Sequence, residues 1–270
     1  MVELYDFPHQ GPTDLFWVEE LPQQEPIGNV AFSTSYPELD EILLFYPGQF
    51  VVVTGVPGSG KSTLLLNILC RIARQDGRKS FLYVPENEGF LRDKLHALWD
   101  IPQPAAERGF NFYMGTHFVC LSSRFTDQHR TLKWILSRVE WAVNELGVSM
   151  VLVDPWNEIE RTKPKDMALT DYIGECIGAI KDSCRAFGYT FIMVAHPTKA
   201  VNENGGRTPA LYDIEGSANW ANKCDNGLIV VRDGNSCRVI SAKTRELGAG
   251  KSPGQCWFNV DPRTGRFTAV

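Results

Sequence analysis

Gln49-Phe50-Val51-Val52-Val53-Thr54-Gly55-Val56-Pro57-Gly58-Ser59-Gly60-Lys61-Ser62-Thr63 is the segment from which the rest of the chain can be ordered. Its first half is a continuous run rich in β-branched residues, the pattern of a strand buried on both faces. Its second half, from Gly55 to Ser62, satisfies the spacing GxxxxGK[ST] directly after that strand and at the start of an apolar helix over about 61–75. Strand, loop and helix together are the context in which this spacing means a phosphate-cradling loop. Glycines let the backbone of Gly55, Pro57, Gly58, Ser59, Gly60 and Thr63 wrap a polyphosphate with its available N–H groups pointing inward, and the helix N-terminus adds its positive end. Lys61 is expected to reach the β- and γ-phosphates and the Ser62 hydroxyl to ligate Mg²⁺.

Outward from this segment the chain alternates. SFLYV (80–84), VSMVLVD (148–154) and YTFIMVAH (189–196) read as strands, and helical apolar faces recur over 126–146 and 168–186. Strands alternating with helices of this length predict a mostly parallel, twisted sheet with flanking helices. GLIVVRD, SCRVISAKTRE and QCWFNVDPRTGRFTAV read instead as C-terminal antiparallel hairpin strands, with turns at Asp233-Gly234-Asn235 and Arg263-Thr264-Gly265. STSYPELDEILLFYPG (33–48) reads as a cap and a short helix stopping before Pro47-Gly48. Residues 1–32 are rich in Pro, Gln and Glu and read as an acidic arm or linker with Phe16 and Trp17 as anchors. Residues 33–270 then form one α/β domain.

Three strand ends carry chemistry. Asp154 closes MVLVD, where a carboxylate can hold the water shell of Mg²⁺ or simply cap a loop. Glu86 follows SFLYV, a strand expected to lie beside the phosphate-loop strand, and can orient and deprotonate an attacking water. Glu88 can fill that role instead, or either residue can be an N-terminal helix charge for 88–99. His196 closes TFIMVAH; it can contact a γ-phosphate, although a lone His at a strand end is more often an ordinary surface residue.

The 270 residues carry 27 Lys and Arg against 32 Asp and Glu, a net charge of −5. That average hides a division. Residues 1–60 hold nine acids and no Lys or Arg, so the remaining 210 residues carry all 27 bases against 23 acids. A uniformly basic nucleic-acid coat is excluded, and a local basic groove is not. No run approaches the roughly 20 apolar residues of a membrane helix. Seven scattered cysteines without CxxC spacing argue against a disulfide scaffold or zinc ribbon and for a reducing compartment. The opening MVELYDFPHQ has no basic or Arg-rich leader pattern.

In order, TGVPGSGKST, VPEN, VDPWNEIE, VAHPTK, DIEGSANWANKCDNG and KTRE resemble the helicase domain of the Twinkle family of mitochondrial replicative helicases, and also the helicase half of phage primase-helicases. The resemblance runs over about 33–250. It implies a RecA-like P-loop core that assembles into a ring, usually hexameric, with ATP and Mg²⁺ between subunits and single-stranded DNA through the centre. By position it makes Lys61 and Ser62 the Walker A pair, Asp154 the Walker B carboxylate, Glu86 the catalytic carboxylate and His196 the γ-phosphate sensor. Lys243 and Arg245, which otherwise read as one face of an exposed strand, become the pair that reaches into the neighbouring subunit's site.

The resemblance also implies DNA contacts from the loops after the Asp154 and His196 strands. These are roughly 160–168, with Arg161, Lys163 and Lys165, and 197–216, with Lys199 and Arg207. Both also read as solvated surface loops. Trp156 and Trp220 can stack on bases or pack in the core. A replication fork is the implied substrate, and the cytoplasm of a bacterial or phage-infected cell, or the mitochondrial matrix, the implied setting. Without a zinc-ligand cluster or second catalytic domain, priming falls to a separate primase or to an N-terminal domain outside this chain. An excised C-terminal domain and a small stand-alone protein both fit.

Overall fold

The β-branched run at 50–54 becomes the centre of the sheet because every one of its side chains is buried. The computed structural model describes Val18 and residues 25–99, 114–125, 129–198, 207–216 and 218–270. In chain order the main elements are β1 (Phe50–Thr54), α1 (Lys61–Asp76), β2 (Lys79–Tyr83), α2 (Leu91–Leu98) and β3 (Phe118–Cys120). There follow α3 (Leu132–Leu146), β4 (Val148–Val153), α4 (Leu169–Phe187), β5 (Thr190–Val194) and α5 (Asn219–Lys223). The chain ends with β6 (Asn226–Asp233), β7 (Ser236–Thr244), β8 (Gly254–Val260) and β9 (Phe267–Ala269).

The strands form one sheet in the order β3-β2-β4-β5-β1-β6-β7-β8-β9. The first six in that order are parallel, and β7 to β9 continue antiparallel. The pleat sends alternate side chains to opposite faces. Val51 and Val53 join Leu64, Ile68, Leu95 and Phe258 under α1 and α2. Phe50 and Val52 join Ile135, Val139, Ile173 and Ile177 under α3 and α4. This is the RecA-like, mostly parallel sheet flanked by helices that the sequence predicts, with its antiparallel C-terminal strands.

Several local expectations change. β2 does not adjoin β1: β4 and β5 lie between them. GLIVVRD is not only a hairpin strand. β6 pairs parallel with β1 on one side and antiparallel with β7 on the other, joining the two halves of the sheet. α3 begins at Leu132, where the Thr131 side chain accepts from the Trp134 N–H, while 126–128 lie outside the described residues. Residues 33–48 hold a single turn, Pro37–Asp40. Beyond it Ile42, Leu43 and Phe45 are all drawn into the core, and Leu44 N–H donates to Ala249 O at 2.9 Å. Such a run buries too many faces to stay helical. Phe16 and Trp17 lie outside the described residues.

Among the described residues no helix is long and apolar enough to cross a membrane. All seven cysteines are free, and six are buried.

Candidate functional site

Register puts the chemistry on one edge. Tyr83 pairs with Val153, Val153 with Met193, and Val53 with Val194, so β2, β4, β5 and β1 end together. The residues that follow them, Glu86, Asp154, His196 and the loop from Gly55, therefore share the carboxyl edge of the parallel strands. Ligands of open parallel sheets gather at that edge.

The loop has the backbone that its sequence requires. Gly55, Gly58 and Gly60 have φ of +152°, +78° and +90°. At Gly55 an added Cβ would lie 2.3 Å from Val230 O and 2.7 Å from Ser59 Oγ. Gly55→Ala is therefore expected to lower Tm and to weaken nucleotide binding by about tenfold or more, since the Val230 carbonyl cannot yield without moving β6. Thermal melting and titration with a fluorescent nucleotide read both. Lys61 opens α1 and is buried; its Nζ donates to Gly55 O at 2.8 Å and Val56 O at 3.0 Å. Burial pulls its amine below the usual lysine range, against the opposing charges of Asp154 and Glu86.

Asp154 is buried, and burial pushes its carboxyl up while the Ser62 hydroxyl and Lys61 hold it down. Its Oδ2 is shielded and unpartnered among the described residues. A buried carboxylate oxygen without a partner, beside a hydroxyl at a helix N-terminus, suits a hard divalent cation that keeps most of its ligands from water and phosphate. Among the described residues no group of three or more His, Cys, Asp or Glu could form an all-protein metal cage. Magnesium carried with the nucleotide fits this donor set.

Glu86 and Glu88 are separated by their partners. Both sit on the 3₁₀ turn Pro85–Phe90 after β2. Glu88 accepts from the Ser122 hydroxyl, from Ser123 N–H at 3.0 Å and from Ser123 Oγ at 2.9 Å. Burial raises its carboxyl, but these bonds and Arg124 bring it below the usual range. Glu86 is exposed and lies in the field of Lys61 and Asp154 instead. Burial, then Asp154 and Glu158, push its carboxyl up against the pull of Lys61. A carboxylate held above its ordinary range is the better base. His196 lies in the same field: burial and Lys61 lower its imidazole, with Glu215 opposing, and its Nδ1 is shielded.

One feature escapes the sequence reading. A cavity of about 420 Å³ opens beside Thr63, lined among others by Phe90, Lys94, Arg263, Thr264 and Gly265. The turn between β8 and β9 comes from the far end of the chain, so only the folded sheet brings Arg263 next to Thr63.

Lys243 and Arg245 lie elsewhere. Thr244 pairs with Asn226, and Arg245 N–H donates to Asp225 O, so both sit at the amino edge of the parallel strands. β1, about 13 Å long at 3.3 Å per residue, separates that edge from the chain's own phosphate loop. Lys243 Nζ donates to Ala221 O at 2.6 Å and Asn222 O at 2.8 Å. The Arg245 guanidinium donates to Asn222 O at 2.9 Å and pairs with Asp225 at 3.2 Å, with 39% of the side chain exposed.

The basic loops follow β4 and β5 at the carboxyl edge. Arg161 and Lys165 are exposed, and among the described residues they make no ion pair. Lys163 is turned inward onto Pro164 O and Met167 O. Arg207 is held by both carboxylate oxygens of Asp213, at 2.6 and 2.7 Å. Lys199 lies outside the described residues. Trp156 and Trp220 are buried and meet edge to face at 5.1 Å, which makes them core residues.

A family model described as an AAA domain matches residues 31–202. The Twinkle homolog protein of Arabidopsis thaliana, described as chloroplastic/mitochondrial, is 31% identical over 259 residues, covering 87% of this chain. This chain spans 36% of that protein's length. Among solved structures, a DnaB-like replicative helicase described with its interactions with primase superposes with a TM-score of 0.68 at 16% identity, over 84% of this chain and 60% of that one. The RadB recombinase superposes with a TM-score of 0.62 at 16% identity, over 88% and 99%. At such identities the solved structures speak for the fold, while the family match and the Twinkle homolog carry the kinship. The chain belongs to the AAA-domain family, with a RecA-like fold, and over most of its length it is similar to the Twinkle homolog.

Proposed function

We propose that this domain is the motor of a ring-forming, ATP-driven translocase on single-stranded DNA, with each ATP hydrolysed between two subunits. The observation that carries this reading is the division of the catalytic set. Lys61, Ser62, Asp154, Glu86 and His196 share the carboxyl edge, and Lys243 and Arg245 share the amino edge, a strand length away. A second copy is the way to bring the two halves together. A heterologous contact of this kind closes into a ring when its rotation permits.

The division of labour follows from the chemistry. Lys61 and the loop N–H groups hold the β- and γ-phosphates. Ser62 and Asp154 would hold Mg²⁺, which when bound neutralises charge on the phosphate oxygens. Glu86 orients the attacking water and takes its proton. Arg245 of one subunit stabilises the charge that develops at the neighbour's phosphate. His196, at the tip of β5, registers the γ-phosphate and passes its loss to the loop over 197–216. Arg161 and Lys165 supply sequence-blind contacts to the DNA backbone. A primase partner, as a separate protein or a domain outside this chain, fits the same reading.

The cavity beside Thr63 suits the nucleobase, with Phe90 and Arg263 as its flat partners. Phe90→Ala is expected to raise KM for ATP by about three- to tenfold, the equivalent of one lost ring contact, with kcat little changed. Steady-state kinetics check it.

Assembly and strand displacement test the whole. With ATP and a forked duplex, closed rings by electron microscopy and ATP-dependent release of one strand are expected. Filaments or monomers that hydrolyse ATP without releasing a strand would overturn the translocase reading and favour a strand-exchange, loader or switch ATPase.

A further inference from the structure

Arg245 is held from behind by one buried carboxylate. The Asp225 side chain is 7% exposed, and its Oδ1 meets both Lys181 Nζ, at 2.5 Å, and Arg245 Nε, at 3.2 Å. Its Oδ2 accepts from the Phe50 N–H at 2.9 Å. Lys181 in turn donates to Lys223 O at 2.9 Å, which ties α4 to the end of α5. One side of the guanidinium is therefore committed to Asp225 and to the carbonyls of Asn222 and Cys224. Arg245 also borders an open cavity of about 310 Å³ whose lining includes Lys181, Arg185, Asn222 and Lys223.

We propose that Asp225, supported by Lys181, is the positioning residue that sets the Arg245 guanidinium toward a neighbouring subunit's nucleotide. The proposal rests on the reading of Arg245 as a group acting in trans. Asp225 also clamps the first residue of β1, the strand that ends in the chain's own phosphate loop. The group offered to the neighbour and the loop that binds nucleotide are thus fixed to opposite ends of one strand. A long, flexible Arg side chain anchored this way gives up its freedom before the neighbour arrives, and pre-organisation of this kind raises rate rather than ground-state binding.

Two variants test it in the assembled protein. Asp225→Asn keeps the shape and removes the charge. Lys181→Met/Asp225→Leu replaces the buried pair with apolar groups, leaves Arg245 the carbonyls of Asn222 and Cys224, and carries the test if Asp225→Asn does not fold. The expected result is a fall in kcat of about tenfold to a hundredfold with little change in KM or in fluorescent-nucleotide binding. Mixing either variant with Lys61→Ala should then restore turnover, because the variant's own phosphate loop is intact. A folded variant with unaltered kcat overturns the proposal. So does a loss that Lys61→Ala fails to complement while Arg245→Ala mixed with Lys61→Ala does recover, since the damage then lies in the variant's own site. If Arg245→Ala and Lys61→Ala themselves fail to complement, the trans reading falls and the positioning role falls with it.

Discussion

Lys61→Ala and Arg245→Ala are each expected to lower ATP turnover by about a thousandfold or more, and a mixture of the two inactive proteins is expected to recover part of it. The size follows from what each cation does. Lys61 is the buried ammonium of the phosphate loop, and a trans arginine is typically worth about 10³–10⁵ in rate. The recovery follows from where they sit. In the proposed ring each hydrolytic site takes Lys61 from one subunit and Arg245 from the next, and the two residues lie at opposite edges of the same sheet. In a one-to-one mixture assembled at random, about a quarter of interfaces pair an intact Lys61 with an intact Arg245, the statistics of a heterologous contact. Turnover near a quarter of wild type is therefore the ceiling. If both residues served the same subunit's site, no mixture would exceed the two proteins measured separately.

Glu86→Gln is expected to abolish most of the chemistry and to leave binding in place. The amide preserves size and polarity but cannot accept a proton from water, so kcat should fall by about 10²–10⁴ with nucleotide affinity kept. The pH profile gives a second reading. As the proposed base Glu86 would work deprotonated, and burial with Asp154 and Glu158 raises its carboxyl above the usual range. Wild-type kcat should therefore fall as pH drops through that raised value, at a higher pH than an ordinary glutamate would set. The residual activity of Glu86→Gln should lack this limb. Glu88→Gln is the internal control. Its carboxylate is occupied by Ser122 and Ser123, so its loss should affect the fold of the turn more than kcat.

How far the sequence reached depended on how local each feature is. β1 and its loop were legible because burial on both faces and the glycine spacing are written in consecutive residues. The placement of Asp154 and His196 was legible because each ends an apolar run, and parallel strands bring such ends to one edge, while a role for His196 at the γ-phosphate came only with the family resemblance. The sequence reading preferred Glu86 to Glu88, but the partners that set them apart were not legible. Both follow the same strand, and what separates them is a pair of serines more than thirty residues away. Strand order is likewise non-local. Nothing in SFLYV says that two strands will lie between β2 and β1, and the three-residue β3 is too short to leave a period.

The same limit applies to the cations. Arg207 reads as a free loop charge until the fold returns Asp213 to it, and Lys163 until its amine meets Met167 O. The position of Arg245 needed the pairing of β6 with β7, since its spacing in KTRE places it on no particular edge. The aromatic pair Trp156 and Trp220 comes from segments more than sixty residues apart, and only their mutual contact settles them as core.

The most direct measurement is steady-state ATP turnover with and without a single-stranded oligonucleotide, at a low and a high salt concentration. Strong stimulation that weakens as salt rises is the expected result, because backbone phosphate contacts release counterions and lose affinity in salt. Turnover that is the same with and without the oligonucleotide at both concentrations would contradict the account, since DNA would then stand outside the working cycle of this domain.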